Sequence, residues 1–343
     1  MNIAHLLPYT AQFPLVKHNG RYEWALRLAR IQAQQGHTVS VYAAPGSHDE
    51  SPIVWRSIEA PFKDKTTNNI ALIKEAFQNR EHDIYHSHLD YMHYFLADMT
   101  TKPVVATQHW FPDTLTAAAA TFNTTANVTA VPVTNYMLQE DVKLGIKTGE
   151  LIYHGIDLSL FHPSPLAIRE RFIFVGRITE RKGVREAVKY ATLAGVGLDI
   201  IGKINDVDQP YWQSILPYVD GVKIKYLGPQ SQTAVAGLVA QAKGFLFPTQ
   251  SQEPFGQVTI EAQAAGTPVI IGDIGASNEL VQHGKTGFVC SSEQDYIDAL
   301  HNINDIRRTD CREFAERFDL KTMINNYDTL YRLLTDTSSV VNR

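Results

Sequence analysis

Cysteine is scarce in this chain of 343 residues: Cys290 and Cys311 are the only two, and no CxxC spacing occurs. Two scattered thiols suit a reducing cytoplasm and argue against a disulfide framework or a structural zinc site. Long hydrophobic runs are missing as well. No stretch approaches the ~18 uninterrupted apolar residues of a membrane span. The opening MNIAHLLPY lacks a basic start and a long apolar core, so it reads as a buried first strand and not as a signal peptide. Excess positive charge is absent too: 31 Lys and Arg stand against 36 Asp and Glu, for a formal net charge of -5. That argues against nucleic acid as the main partner, because binding to a phosphate backbone rests on many Lys and Arg contacts. The expectation is a cytoplasmic protein, at most peripheral to the inner face of a membrane. The sequence carries no signal for an oligomeric state.

Several signatures of known chemistry are also lacking. No G-x-G-x-x-G follows the first strand, which counts against a nicotinamide enzyme. No G-x-x-x-x-G-K-[ST] occurs, which excludes a P-loop ATPase, and no G-x-S-x-G, which argues against an α/β-hydrolase. His86 and His88 with Asp90 hint at metal, but third and fourth ligands at familiar spacing are missing, so no metal site is expected.

What is present is length and alternation. The chain is long for one core and comfortable for two, and 44% hydrophobic residues suffice to fill both. Short apolar runs at 3–7, 38–42, 84–86, 104–107 and 128–131 read as strands. A helix is expected over 21–35, where Trp24, Leu28 and Ile31 share one face and Gly36 ends the run. The segment 154–164, with Gly155 and Pro163, breaks the pattern and reads as a link between domains. A second series then starts: strands at 172–175, 198–201, 224–227, 244–247 and 269–271, with helices at 183–194, 233–242 and 258–265. Residues 314–334 read as one final helix, and 114–127, rich in Ala, Thr and Asn, as a mobile loop. Such alternation implies parallel sheets covered by helices. Ligands of these folds bind outside the carboxyl ends of the strands.

Four segments carry candidate chemistry. PTQSQEPFGQVTIEAQAAGTPVI, residues 248–270, holds Glu253 before a Pro-Phe-Gly turn and Glu261 inside the helix that follows. Carboxylates accept hydrogen bonds from hydroxyls, so ribose and sugar rings suit them. The helix start near Phe255 and Gly256 offers backbone N–H groups to a phosphate. The plain alternative is a solvated glutamate pair, with Glu253 favouring the helix dipole. In FIFVGRITERKGVREAV, Arg177 and Lys182 follow a buried strand, where two cations can hold a diphosphate and stabilise charge on a leaving phosphate. Arg181 and Arg185 read as solvated helix charges. Asn19-Gly20 stands in the first strand-to-helix loop, where a glycine lets backbone approach a phosphate; a plain turn explains it equally well. His109, in PVVATQHW, follows a strand and could hydrogen-bond a hydroxyl, although a histidine at a strand end is more often structural.

Together and in this order, these segments resemble family 4 retaining glycosyltransferases of the GT-B fold (glycosyl transferases group 1). The resemblance runs from NGRYEWALRLARIQAQQGHTVSVYA through DIYHSH, PVVATQHW, YHGIDLSLFHP, VGRITERKG and E-PFG-…-EA to GASNELVQHGKTGFV. It implies an α/β fold of two Rossmann-like domains facing across a cleft. Residues 1–158 would form the acceptor side, 159–318 would hold the nucleotide sugar, and 319–343 would cross back as a helix. It implies Arg177 and Lys182 on the donor diphosphate, Glu261 on the ribose, and Glu253 with Phe255 and Gly256 on the transferred sugar. It also implies His109 beside the reacting carbon, Gly20 against the diphosphate, retention of configuration, no metal and no cofactor beyond the nucleotide sugar as co-substrate. Three positions depart from the family pattern: Asn19 and His154 replace a usual Gly and Asn, and Gly275-Ala276-Ser277-Asn278-Glu279 replaces Gly-Gly-x-x-Glu.

The expected activity is transfer of a hexose-type sugar, by default from UDP, to a hydroxyl of a glycan, lipid-linked or small-molecule acceptor. Acceptor specificity is expected in the loops 8–20, 61–69 and 110–127. Two alternatives stand beside it. One is a regulatory or binding subunit on an inactive transferase scaffold, the other a GT-B-like nucleotide-sugar epimerase.

Overall fold

The computed structural model describes residues 1–10, 12–14, 20–59, 62–164, 166 and 168–341. Asn19 and Pro61, each part of an expected ligand-contacting loop, lie outside the described residues. The chain divides into two units, Met1–Tyr153 with the chain from Met323 onward, and His154–Thr322.

The first unit is built on six parallel strands: β1 (Asn2–Leu6), β2 (Thr38–Tyr42), β3 (Val54–Arg56), β4 (Ile84–Ser87), β5 (Val104–Thr107) and β6 (Val128–Val131). Their order is β3-β2-β1-β4-β5-β6. Around them lie α1 (Gly20–Gln34), α2 (Lys65–Gln78), α3 (Thr114–Ala120) and α4 (Asn135–Leu144), joined by the chain from Met323 onward. β4, β5 and β6 are buried along their whole length, as strands covered on both faces must be. α1 buries Trp24 and Leu28 on the expected face, and Gln32 continues that face one turn on. α2 starts where the Asp64 carboxylate accepts from the Thr67 N–H, and it packs Leu72, Ile73, Ala76 and Phe77 inward.

The second unit repeats the plan. Its strands are β7 (Arg171–Val175), β8 (Gly197–Ile201), β9 (Ile224–Gly228), β10 (Phe245–Phe247), β11 (Val269–Gly272) and β12 (Gly287–Cys290), in the order β12-β11-β10-β7-β8-β9. Around them lie α5 (Val184–Leu193), α6 (Gln209–Ile215), α7 (Gln232–Gln241), α8 (Gln257–Ala264), α9 (Ser277–Leu280), α10 (Glu293–Asn302) and α11 (Arg308–Ala315). Phe172, Phe174, Phe245 and Phe247 anchor an aromatic and aliphatic core between sheet and helices. Both cysteines are free and buried, and burial pushes each thiol up to about 12. No described helix is long and apolar enough to cross a membrane.

Three expectations need correction. The final helix is not continuous: α11 ends, a tight turn follows at Glu316–Phe318, and α12 (Leu320–Val341) starts after Asp319, whose backbone is extended. Asp319 is extended because it bridges Ile156; the Ile156 N–H donates to Phe318 O at 2.8 Å and the Leu320 N–H to Ile156 O at 3.1 Å. The same bridge binds the expected interdomain link into the second unit, and Arg312 adds a hydrogen bond to Phe161 O at 2.8 Å. The division therefore falls at 153/154 and 322/323, not at 158/159 and 318/319. Residues 114–127 are not a plain loop. They form α3 and then a turn clamped by Asp98, which accepts from the N–H groups of Thr124 and Thr125 at 3.1 and 3.0 Å.

Candidate active site

In the second unit the chain passes from β7 to β8 and β9 on one side, then returns with β10 on the other side of β7. Loops leaving β7 and β10 therefore diverge, and open α/β sheets form their ligand crevice at that point. The β7 loop carries Arg177 and Lys182; the β10 loop carries Glu253, Phe255 and Gly256.

A glycine brings the two loops together. Gly183 has φ +74, and a Cβ there would lie 1.8 Å from the Pro248 carbonyl oxygen. No other residue permits this approach without a shift of backbone. Around it the Gln250 N–H donates to Arg181 O at 2.8 Å, and Arg181 Nε donates to Ser251 Oγ at 3.2 Å. The result is a close pair: Lys182 Nζ lies 2.7 Å from a Glu253 carboxylate oxygen, with both side chains 18% exposed. The ammonium also lies 5.4 Å from the centre of the Phe247 ring.

Burial is the main influence on Lys182 and lowers its pKa; Glu253 acts against it, while Arg177 and Arg181 lower it further. Three cations thus stand near one carboxylate. That surplus of positive charge suits a diphosphate, and Glu253 keeps acceptor capacity for hydroxyls. Arg181 is exposed on the helical turn Glu180–Lys182, as a solvated helix charge should be, and its Nε also links the two loops through Ser251. Arg185 lies over the Tyr211 ring and donates to Ser214 Oγ at 2.9 Å, so its position is structural.

Phe255 is buried edge-on against the rings of His154 and Phe318. Gly256, at φ 70, turns the chain into α8. The first N–H groups of a helix have no helical acceptors, so this start can receive a phosphate or hydroxyl. Glu261 is half-buried on the second turn of α8.

The remaining expected residues belong to the first unit. Gly20 is exposed and is the first residue of α1. His109 follows β5 and joins a cluster at that unit's own switch point, between β1 and β4. There His5 on β1 lies opposite His86 on β4. His5 Nδ1 is 3.1 Å from His88 Nε2, and His88 Nδ1 is 3.0 Å from His109 Nε2. His86 reaches Thr107 Oγ1 at 2.7 Å and the Tyr331 hydroxyl. Burial pushes His5 down to about 4 and holds His86 and His88 well below the ordinary 6.5, so all three are neutral at pH 7. Ligand nitrogens of His5, His86 and His88 lie within 4.8 Å of one another. Each of their six ring nitrogens nevertheless has a hydrogen-bond partner, which favours a bonded network over a metal centre.

His5, Gln32, Tyr327, Asp328 and Tyr331 were missed as members of a site. The signals were a histidine inside the apolar NIAHLL run and a glutamine on the buried face of α1.

Similar proteins share this architecture. A sucrose-phosphate synthase from Thermosynechococcus elongatus superposes with a TM-score of 0.81, at 18% identity over 98% of this chain and 99% of that one. The Anabaena protein HepE, solved with UDP and glucose, superposes with a TM-score of 0.76, at 17% identity over 97% of this chain and 100% of that one. The fold is therefore GT-B. Residues 166–319, which lie within the second unit, match the family model described as "Glycosyl transferases group 1". A D-inositol 3-phosphate glycosyltransferase of Mycobacterium bovis is 29% identical over 171 residues, 45% of this chain. The match spans about a third of that relative's length (35%).

Proposed function

We propose that this chain is a retaining, metal-independent glycosyltransferase that moves a hexose-type sugar from a UDP-sugar to a hydroxyl acceptor. The observation that carries this reading is the Lys182–Glu253 pair at 2.7 Å in the crevice beside β7, with Arg177 and Arg181 acting on the same ammonium. Arg177 and Lys182 hold the diphosphate. As the bond from the anomeric carbon to the phosphate oxygen breaks, they stabilise the growing negative charge. The acceptor oxygen forms the new bond on the same face, and its proton passes to the leaving phosphate oxygen. Glu253 and the backbone at Phe255 and Gly256 bind the sugar hydroxyls, Glu261 binds the ribose, and Gly20 offers its amide to the diphosphate. His109 is the imidazole of the first unit on which transfer depends. The UDP and glucose bound to HepE support UDP-glucose as the first donor to try, and the inositol phosphate relative supports a small polyol acceptor.

The test is thermal stabilisation and slow hydrolysis across UDP-, GDP- and ADP-sugars in excess chelator, with the product anomer read by NMR. A ligand that binds only the folded state raises stability according to its concentration over Kd. One responding UDP-sugar, hydrolysed with retention in chelator, is expected. Binding without turnover under any acceptor would favour a regulatory subunit, and strict metal dependence would overturn the metal-independent part.

A further inference from the structure

The hydrogen bonds of the first unit's switch point form one continuous chain that reaches His109. It starts on α12, where Gln32 Nε2 lies 3.1 Å from Asp328 Oδ1. Gln32 Oε1 lies 2.9 Å from His5 Nε2, His5 Nδ1 lies 3.1 Å from His88 Nε2, and His88 Nδ1 lies 3.0 Å from His109 Nε2. The direction of every link follows from the first. A carboxylate only accepts, so the Gln32 amide donates to Asp328 and its oxygen faces His5. His5 must then donate from Nε2. A neutral imidazole carries one proton, so His5 Nδ1 accepts, and His88 must donate from its own Nε2. By the same step His88 Nδ1 accepts from His109 Nε2.

We propose that Asp328, acting through Gln32, His5 and His88, sets the tautomer of His109, with the proton on Nε2 and the lone pair on Nδ1. The functional half of this rests on the reading that transfer depends on His109. Under it, His109 presents Nδ1 as an acceptor nitrogen and not as a donor. Asp328 is a positioning residue and touches no substrate.

The energetic reason is burial. His5, Gln32 and His88 are 0%, 0% and 1% exposed. Turning one ring to the other tautomer would set donor against donor or acceptor against acceptor away from water, which costs the desolvation of both groups. All links would have to reverse together, and the carboxylate end cannot reverse. Neutrality of the middle rings holds, since burial takes His5 to about 4 and His88 well below 6.5. Trp24 stands edge-on to His88 and His109, with ring centres 5.8 and 5.1 Å away, and limits their tilt. The group at the far end agrees: His37 Nε2 lies 3.7 Å from the second Asp328 oxygen. A metal on His5, His86 and His88 would compete for the same nitrogens and break the chain.

The test is long-range 1H–15N NMR of 15N-histidine-labelled protein at pH 7.5, beside a transferase assay. Wild type is expected to show His109 protonated on Nε2, unchanged by added zinc. Asp328→Ala should mix the His109 tautomers and lower kcat by about 10²-fold, at the low end for a lost acid–base group, with donor KM little changed. Asp328→Asn, whose amide oxygen still accepts, should keep both tautomer and kcat. Gln32→Met is a second break in case Asp328→Ala does not fold. His109 protonated on Nδ1 in wild type, a zinc-induced change, or an unaltered tautomer in both breaking variants would overturn the proposal. A mixed tautomer with unchanged kcat would overturn its functional half. The NMR readings need no turnover, so failure of the transferase reading is separately visible as no donor use by wild type.

Discussion

The two units place polar side chains at the same topological position, the strand ends beside the first strand, and fill it in opposite ways. In the second unit the position holds an ion pair at 2.7 Å, with both side chains 18% exposed and two further arginines beside it. In the first it holds neutral histidines at 0–1% exposure, each ring nitrogen of His5, His86 and His88 bonded to a neighbour. Desolvation explains the difference. A charge fully removed from water is costly even when paired, so the cations remain where water and a ligand reach them. A neutral imidazole can be sealed in if both nitrogens find partners. One crevice is thus suited to recognise charge and the other to hold a ring in one orientation.

The sharpest way to break this comparison is to remove the charges. Lys182→Ala or Glu253→Ala should lower kcat by about 10²–10³, or ~2.7–4 kcal/mol of barrier, the range for a lost preorganised group. Circular dichroism should show an unchanged fold, and full activity in either variant would remove these residues from the site. Next in size is the glycine that joins the loops. In Gly183→Ala the new Cβ would meet the Pro248 oxygen at 1.8 Å with φ at +74. Urea unfolding should show a loss of more than ~1 kcal/mol, beyond the usual scale of an unstrained glycine replacement, with weakened donor binding. An unchanged midpoint would mean that the loops are not held by this approach.

The smallest expected effect concerns pH. Burial lowers the folded-state pKa of His5 and His93 to about 4 and lowers His82, His86 and His88 as well. A histidine depressed in the fold binds its proton more readily when unfolded. Its stabilising contribution is therefore present above 6.5 and is lost as pH falls from 6.5 toward 4. Asp141, pushed up to about 6 by burial, opposes this, since the fold prefers its protonated form as pH falls. In the second unit His154, taken down to about 3, is the lone lowered histidine among the described residues. Hydrogen exchange should thus show β1 and β4 losing protection faster than β7 and β8 between pH 6.5 and 4.5. Equal slopes would remove the electrostatic contrast between the units.

Much of the architecture was legible because the periods were clean. Apolar runs separated by helical patterns located ten of the twelve strands, and they missed β3 (Val54–Arg56) and β12 (Gly287–Cys290), short, partly exposed strands at the sheet edges. The break at Asp319 was hidden because 314–334 keeps a helical pattern throughout, and only pairing with Ile156 pulls that residue straight. In the candidate site, Arg177, Lys182, Glu253 and Glu261 are proposed from compact motifs, and the structure pairs Lys182 with Glu253. The stitching role of Arg181 could not be read from such a motif, since its partner Ser251 is 70 positions away.

The sequence by itself determined the repeated α/β alternation, the cationic loop after β7 and the glutamates around the start of α8, because neighbouring residues encode period, turn and charge. Only the tertiary structure decided that Gly183 must meet Pro248, and that Asp328, Gln32, His5, His88 and His109 form one line. Gln32 and Asp328 are 296 positions apart, and His5 and His88 are 83 apart. Partners so distant are chosen by strand order and by the return of α12 onto the first unit, which no local pattern of residues records.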